Sequence, residues 1–148
     1  TMHNKVVHTL MRTARDLGVS TLRFNFRGVG ASAGQHDFGI GEVDDCLAVI
    51  DWVLQHEGVS RLWLMGFSFV GFVAAVEKQD FAALKPLAGP VSVMMGEDDD
   101  VVAPEAVYAA FADERGAEVV RFAGTGHFFH GKLVPLKAEV ERVLTDQA

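Results

Sequence analysis

The chain has 148 residues, of which 49% are hydrophobic and 22% charged, with a formal net charge of -7. That length and composition fit one globular domain with a real core and exclude a disordered chain. The acidic balance (sequence pI about 5.2) argues against non-specific binding to nucleic acid or to an anionic membrane, because phosphates would be repelled.

A single cysteine, Cys46, excludes an intrachain disulfide and a cysteine-based zinc site. Its place in a helical pattern marks it as a small core residue. No apolar run reaches the ~18 residues of a spanning helix. The polar opening Thr1-Met2-His3-Asn4-Lys5 has no signal-peptide character. A soluble cytoplasmic protein is expected, and Thr1 as the first residue points to residues missing upstream.

Residues 3–17 carry Val6, Val7, Leu10, Met11, Ala14 and Leu17 at helical spacing, and Gly18 is a natural stop. Residues 20–26 read as a strand. A glycine-rich loop over 27–41 follows. Residues 42–56 read as a helix with Val43, Leu47, Ile50, Val53 and Leu54 on one face. Residues 60–66 read as a buried strand, 69 to about 77 as a short helix, and 80–89 as a mixed connection containing Pro86. Residues 91–96 read as a strand. Pro104 opens a helix to about Arg115. Residues 118–122 form a short strand, and 131–145 close with a helix. Alternating strands and helices of crossover length predict a parallel sheet with helices on both faces, a three-layer α/β sandwich. Residues 1–148 are expected to form a single domain. In such folds the chemistry lies at the C-terminal ends of the strands.

Three strand ends carry reactive side chains: Gly66-Phe67-Ser68-Phe69-Val70, then Gly96-Glu97-Asp98-Asp99-Asp100, then Gly126-His127. A serine hydroxyl is a weak nucleophile until an imidazole accepts its proton. The imidazole in turn needs a carboxylate on its other nitrogen to hold the right tautomer. A serine at a sharp strand-to-helix turn is exposed above the sheet, with helix N–H groups behind it for an oxyanion. The order serine, acid, histidine is that of the α/β-hydrolases and not that of other serine hydrolase folds.

Several runs carry a closer resemblance. These are Thr1-Met2-His3-Asn4-Lys5-Val6-Val7, Arg23-Phe24-Asn25-Phe26-Arg27-Gly28-Val29-Gly30, Gly66-Phe67-Ser68-Phe69 and Gly126-His127-Phe128-Phe129-His130. They resemble the small, lidless bacterial α/β-hydrolases, similar to the dienelactone hydrolase and acyl-peptidase branches of that superfamily. The resemblance implies Ser68 as nucleophile, His127 as general base and Asp99 as orienting acid. Asp99 is preferred over Asp98 and Asp100 because the family's acid usually sits three residues after a glycine and is followed by Val and Pro; Gly96, Val101, Val102 and Pro104 match here, with Ala103 inserted before the proline. It further implies hydrolysis of an ester or related acyl bond of a small substrate, with no metal and no organic cofactor. The Phe69 N–H would be one oxyanion donor, with the second upstream of Thr1. By position, Phe67, Phe69, Phe128 and Phe129 flank the triad and point to an apolar acyl pocket, with Phe67 and Phe128 as substrate-binding residues; core packing is the alternative reading of these aromatics. Oligomeric state stays open.

Two departures accompany the resemblance. Val70 stands where the family has a glycine, and a side chain there crowds the elbow. No strand is legible between Ser68 and Val91; Val76-Glu77-Lys78-Gln79-Asp80-Phe81 reads as the segment that would follow one. The sheet is therefore expected to lack its first strands and one strand after the nucleophile helix, with residues absent near 70–80.

Competing readings are weaker. His130, at a helix start, suits a cap or supporting role. His3 and His8 lack metal-ligand spacing, and the three acids lack the alternation of a calcium loop. His36 and Asp37 read as a solvated loop, and Arg27 as a loop buttress or an ordinary surface arginine. The run Gly28-Val29-Gly30-Ala31-Ser32-Ala33 mimics a dinucleotide fingerprint, which would make the chain a nicotinamide-dependent oxidoreductase. A true fingerprint opens a helix at once and meets an acid at the next strand end ~20 residues on; here Gly34, Gly39 and Gly41 keep the chain in loop, and Asp51 is mid-helix. A hydrolase fold used only for binding is the remaining alternative, favoured by Val70.

Overall fold

The computed structural model describes residues 1–56, 59–68, 89–113 and 116–146. In chain order these residues form α1 (Lys5–Asp16), α2 (Ile40–Leu54), β1 (Val91–Gly96), α3 (Pro104–Phe111), β2 (Ala117–Phe122) and α4 (Leu133–Asp146).

Local chemistry sets the helix ends. The Asn4 side chain caps α1 by accepting the Val6 N–H at 2.7 Å. Helix α2 starts two residues earlier than the apolar pattern suggests. The Glu42 carboxylate reaches back and accepts the N–H groups of Gly39 (2.8 Å) and Asp37 (2.9 Å), so the first turn is closed at Ile40. Pro104 occupies the first turn of α3, as expected, but the helix ends at Phe111 rather than near Arg115.

Strands β1 and β2 pair in parallel, with Val91 opposite Ala117 and Gly96 opposite Phe122, and α3 makes the crossover between them. Side chains alternate across this pair. Val91, Val93 and Met95 pack with Val107 and Tyr108 of α3, joined by Val119. Met94 and Phe122 face the other way, against the seam of α1 and α4 built from Val6, Leu10, Ala14, Leu136, Val140 and Leu144. The polar residues obey the same period: the Arg121 guanidinium lies 3.8 Å over the Tyr108 ring on the α3 side, while Glu118 binds Arg142 of α4 on the other. Helices thus cover both faces of the parallel pair, giving the three-layer α/β sandwich.

The expected strands over 20–26 and 60–66 need correction: among the described residues neither enters a β-ladder. β-branched and aromatic residues suit a strand, but only a neighbouring strand can pair its backbone. Leu22, Leu62, Leu64 and Met65 are each more than a third exposed, as befits runs without that cover. The expected helix from 69 to about 77, Phe69, Val70 and the question of a missing strand fall on residues 69–88, outside the described residues. Among the described residues no helix is long and apolar enough to cross a membrane.

Candidate active site

Ser68 follows residues 60–67 at a turn whose backbone is left-handed, with φ +60°. A non-glycine residue holds that conformation only when its surroundings enforce it, and such strain gathers at functional sites. Asp99 stands three residues beyond the end of β1, and His127 five beyond the end of β2.

The structure brings these three side chains together although 31 and 28 positions separate them along the chain. The Ser68 hydroxyl lies 2.7 Å from His127 Nε2, and His127 Nδ1 lies 2.8 Å from Asp99 Oδ2. A carboxylate only accepts, so Nδ1 carries the proton and donates to Asp99; Nε2 is then the acceptor for the serine O–H. The His127 and Asp99 side chains are only 5% and 6% exposed, which strengthens both bonds.

Asp99 is fixed from its other oxygen. Oδ1 accepts the N–H groups of Val101 and Val102, both at 2.8 Å. Asp98 and Asp100 are exposed and make no such turn. Asp98 contributes its backbone instead, donating N–H to the Thr125 carbonyl at 3.0 Å. That bond and the one from Glu97 N–H to the Phe122 carbonyl, 3.1 Å, stitch the acid turn to the histidine loop. The stitch is close: a Cβ on Gly96 would overlap the Thr125 carbonyl oxygen. Thr125 is buried, its hydroxyl bonded to the Ala123 carbonyl at 3.1 Å.

Aromatic residues surround the imidazole. Phe67 lies 5.2 Å from the His127 ring, centroid to centroid, and Phe128 5.0 Å away at 90°. Phe129 turns inward with a left-handed backbone, φ +52°, and packs edge-on against Phe122 at 5.3 Å. Its burial in the α1–α4 core anchors the histidine loop. His130 is exposed, 5.9 Å from the Phe128 ring, and takes no part in the Ser68–His127–Asp99 relay. Phe69 lies outside the described residues.

The glycine-rich loop is held by a network that spacing alone does not reveal. Arg27 donates through Nε and Nη2 to Asp45, the shortest bond being 2.7 Å, and its backbone N–H reaches the same carboxylate at 3.0 Å. The Arg27 side chain, and then its N–H, hold the Asp45 carboxyl below its usual range. Burial pushes the Glu42 carboxyl up, but the N–H groups of Asp37, Glu42 and Gly39 and the His36 ring at 2.7 Å outweigh it and hold it low. Only the Gly39-to-Glu42 interval, a capping spacing, was a usable sequence signal. Asn25 ties the loop to the N-terminal segment: its Oδ1 accepts the Met2 N–H at 2.9 Å, and its carbonyl accepts the Ser32 hydroxyl at 2.8 Å. The Gly28 to Ala33 run forms turns and opens no helix, since α2 begins only at Ile40. That is not the geometry of a dinucleotide fingerprint.

Known proteins share this fold. No family model matches the chain. An α/β serine hydrolase homologue from Coxiella burnetii is 40% identical, with a TM-score of 0.85 over 97% of this chain and 78% of its own. XC6422 from Xanthomonas campestris, described as a serine hydrolase without a lid, is 37% identical, with a TM-score of 0.85 over 99% of this chain and 75% of its own. Among curated proteins, RP471 of Rickettsia prowazekii is 33% identical over 128 residues. That match takes in 72% of this chain and 54% of RP471, so the chain spans about half the length of that relative. Fold, layer order and these relatives agree: the chain belongs to the α/β serine hydrolases.

Proposed function

We propose that the protein cleaves an ester or related acyl bond of a small substrate through an acyl-enzyme, with Ser68, His127 and Asp99 as its catalytic residues. One observation carries this reading: the unbroken relay from the Ser68 hydroxyl through His127 to Asp99, at 2.7 and 2.8 Å, starting from a serine with a left-handed backbone.

The chemistry follows from the relay. Ser68 Oγ attacks the substrate carbonyl while His127 Nε2 takes its proton. The imidazolium so formed is stabilised by Asp99, whose charge is held in place by the Val101 and Val102 N–H groups. His127 then gives its proton to the leaving oxygen as the carbon–oxygen bond breaks, leaving an ester on Ser68. Water attacks that ester, His127 takes a proton from it and returns one to Ser68, and the acid product departs. Developing negative charge on the carbonyl oxygen calls for N–H donors, and the Phe69 backbone N–H is the proposed first one. Phe67 and Phe128 border the substrate. None of these steps calls on a metal or organic cofactor.

The test is labelling with a fluorophosphonate and turnover of a short p-nitrophenyl ester. Ser68→Ala should lose the label and lower turnover at least about 10³-fold while the thermal transition remains. Turnover retained by Ser68→Ala or His127→Ala in a folded protein would overturn the assignment.

A further inference from the structure

We propose that Phe128, backed by Phe67, forms an aromatic wall on the leaving-group side of Ser68, and that the protein selects esters whose alcohol part carries an aromatic ring. The proposal rests on the serine hydrolase reading above. In that reaction His127 Nε2 hands its proton to the leaving oxygen, so the leaving group must sit beside the imidazole.

Besides Ser68 and Asp99, two rings flank the imidazole among the described residues. Phe67 and Phe128 lie 5.2 and 5.0 Å from it and 6.1 Å from each other, so the three rings form a triangle. Their roles differ. Phe67 packs against the α1–α4 core and is held by it. Phe128 is 49% exposed, between the buried His127 and the buried Phe129. The burial of its two neighbours fixes the local backbone, so the Phe128 ring is a preorganised surface and not a loose side chain. Phe128 meets the imidazole at 90° and the His130 ring at 38°, both edge or tilted contacts that leave ring surface open to a further partner. An aromatic ring on the substrate would gain the geometric preference of aromatic pairs beyond its area burial, worth about two- to tenfold in rate.

The experiment compares kcat/KM for benzyl acetate and cyclohexylmethyl acetate, which are similar in size, each divided by that ester's rate of alkaline hydrolysis to remove the lower basicity of the benzyl leaving group. A second pair, methyl phenylacetate and methyl cyclohexylacetate, puts the ring on the acyl side instead. The expected result is a benzyl preference of about two- to tenfold, an acyl-side ratio near one, and collapse of the benzyl preference in Phe128→Leu. A benzyl ratio near one in the unaltered protein, a larger ratio on the acyl side, or a preference that survives in Phe128→Leu would overturn it. Should Phe128→Leu fail to fold, the two ratios of the unaltered protein decide. Fluorophosphonate labelling separates the two layers. Labelled Ser68 with no benzyl preference removes the selectivity alone, whereas no label and no turnover of any of the four esters removes the hydrolase reading and the selectivity with it.

Discussion

Replacing Gly96 by alanine should disable the site from a residue that touches no substrate. Gly96 ends β1, pairs with Phe122 of β2, and opens the turn that carries Asp99. An added Cβ would overlap the Thr125 carbonyl oxygen, and would stand 3.0 Å from the Thr125 carbonyl carbon and 3.2 Å from the Gly126 oxygen. All three atoms are backbone, so no side chain can swing away. The acid turn and the histidine loop must part by about 1 Å, a displacement that can cost about 10²-fold in rate when it separates groups that act together. Overpacking of this kind also destabilises by about 1–3 kcal/mol. The bonds at risk are Asp98 N–H to Thr125 and Glu97 N–H to Phe122. Gly126 supplies the control, because its added Cβ would meet only the Asp98 carbonyl, at an ordinary 3.6 Å. Ester turnover and thermal melting of Gly96→Ala and Gly126→Ala test the contrast: a large loss in the first and a small one in the second. Turnover within about twofold of the parent for Gly96→Ala, with its melting temperature unmoved, would refute the reasoning, since 1 Å of misplacement is expected to cost far more.

Three further outcomes are expected. Asp99→Asn should lower kcat by about 10⁴-fold because an amide can stabilise the wrong imidazole tautomer, whereas Asp98→Asn and Asp100→Asn should stay near the parent; comparable losses in all three would show that no single carboxylate orients His127. Ser68→Gly should unfold at a higher temperature than Ser68→Ala, by about 1 kcal/mol of stability, since glycine adopts φ +60° without strain; equal melting curves would mean that this left-handed backbone stores none. Asp45→Asn should be less stable than the parent at pH 7. Because the Asp45 carboxyl is held low by Arg27, its stabilisation is present above the unfolded value of about 3.9 and is lost as pH falls through the lower folded value. The gap between the two melting temperatures should therefore close below about pH 4, and a gap constant from pH 7 to pH 3 would count against the Arg27–Asp45 link.

Much was legible in the sequence because the signals are local and periodic. The 3.6-residue pattern of Val6, Leu10 and Ala14 specifies α1 and its buried face, and Gly18 marks its end. The apolar run at 91–96 and the proline at 104 specify a strand and the helix after it. The order Ser68, Asp99, His127, each beyond a strand-like run, pointed to one family of chemistry. Pattern also misled: the runs at 20–26 and 60–66 have the composition of strands, but pairing is a property of two segments and neither run carries it alone.

Other features were decided only in three dimensions. Three neighbouring aspartates are equivalent as text; the turn that points Oδ1 of Asp99 at two N–H groups and Oδ2 at His127 makes them unequal. Arg27 and Asp45 lie 18 positions apart with no periodic relation, and only the return of the loop onto α2 joins them. The need for glycine at position 96 comes from a carbonyl 29 residues away. Sequence period determines what each segment can become because backbone sterics and solvent act locally, whereas the contacts of a site depend on how distant segments pack, which no single segment encodes.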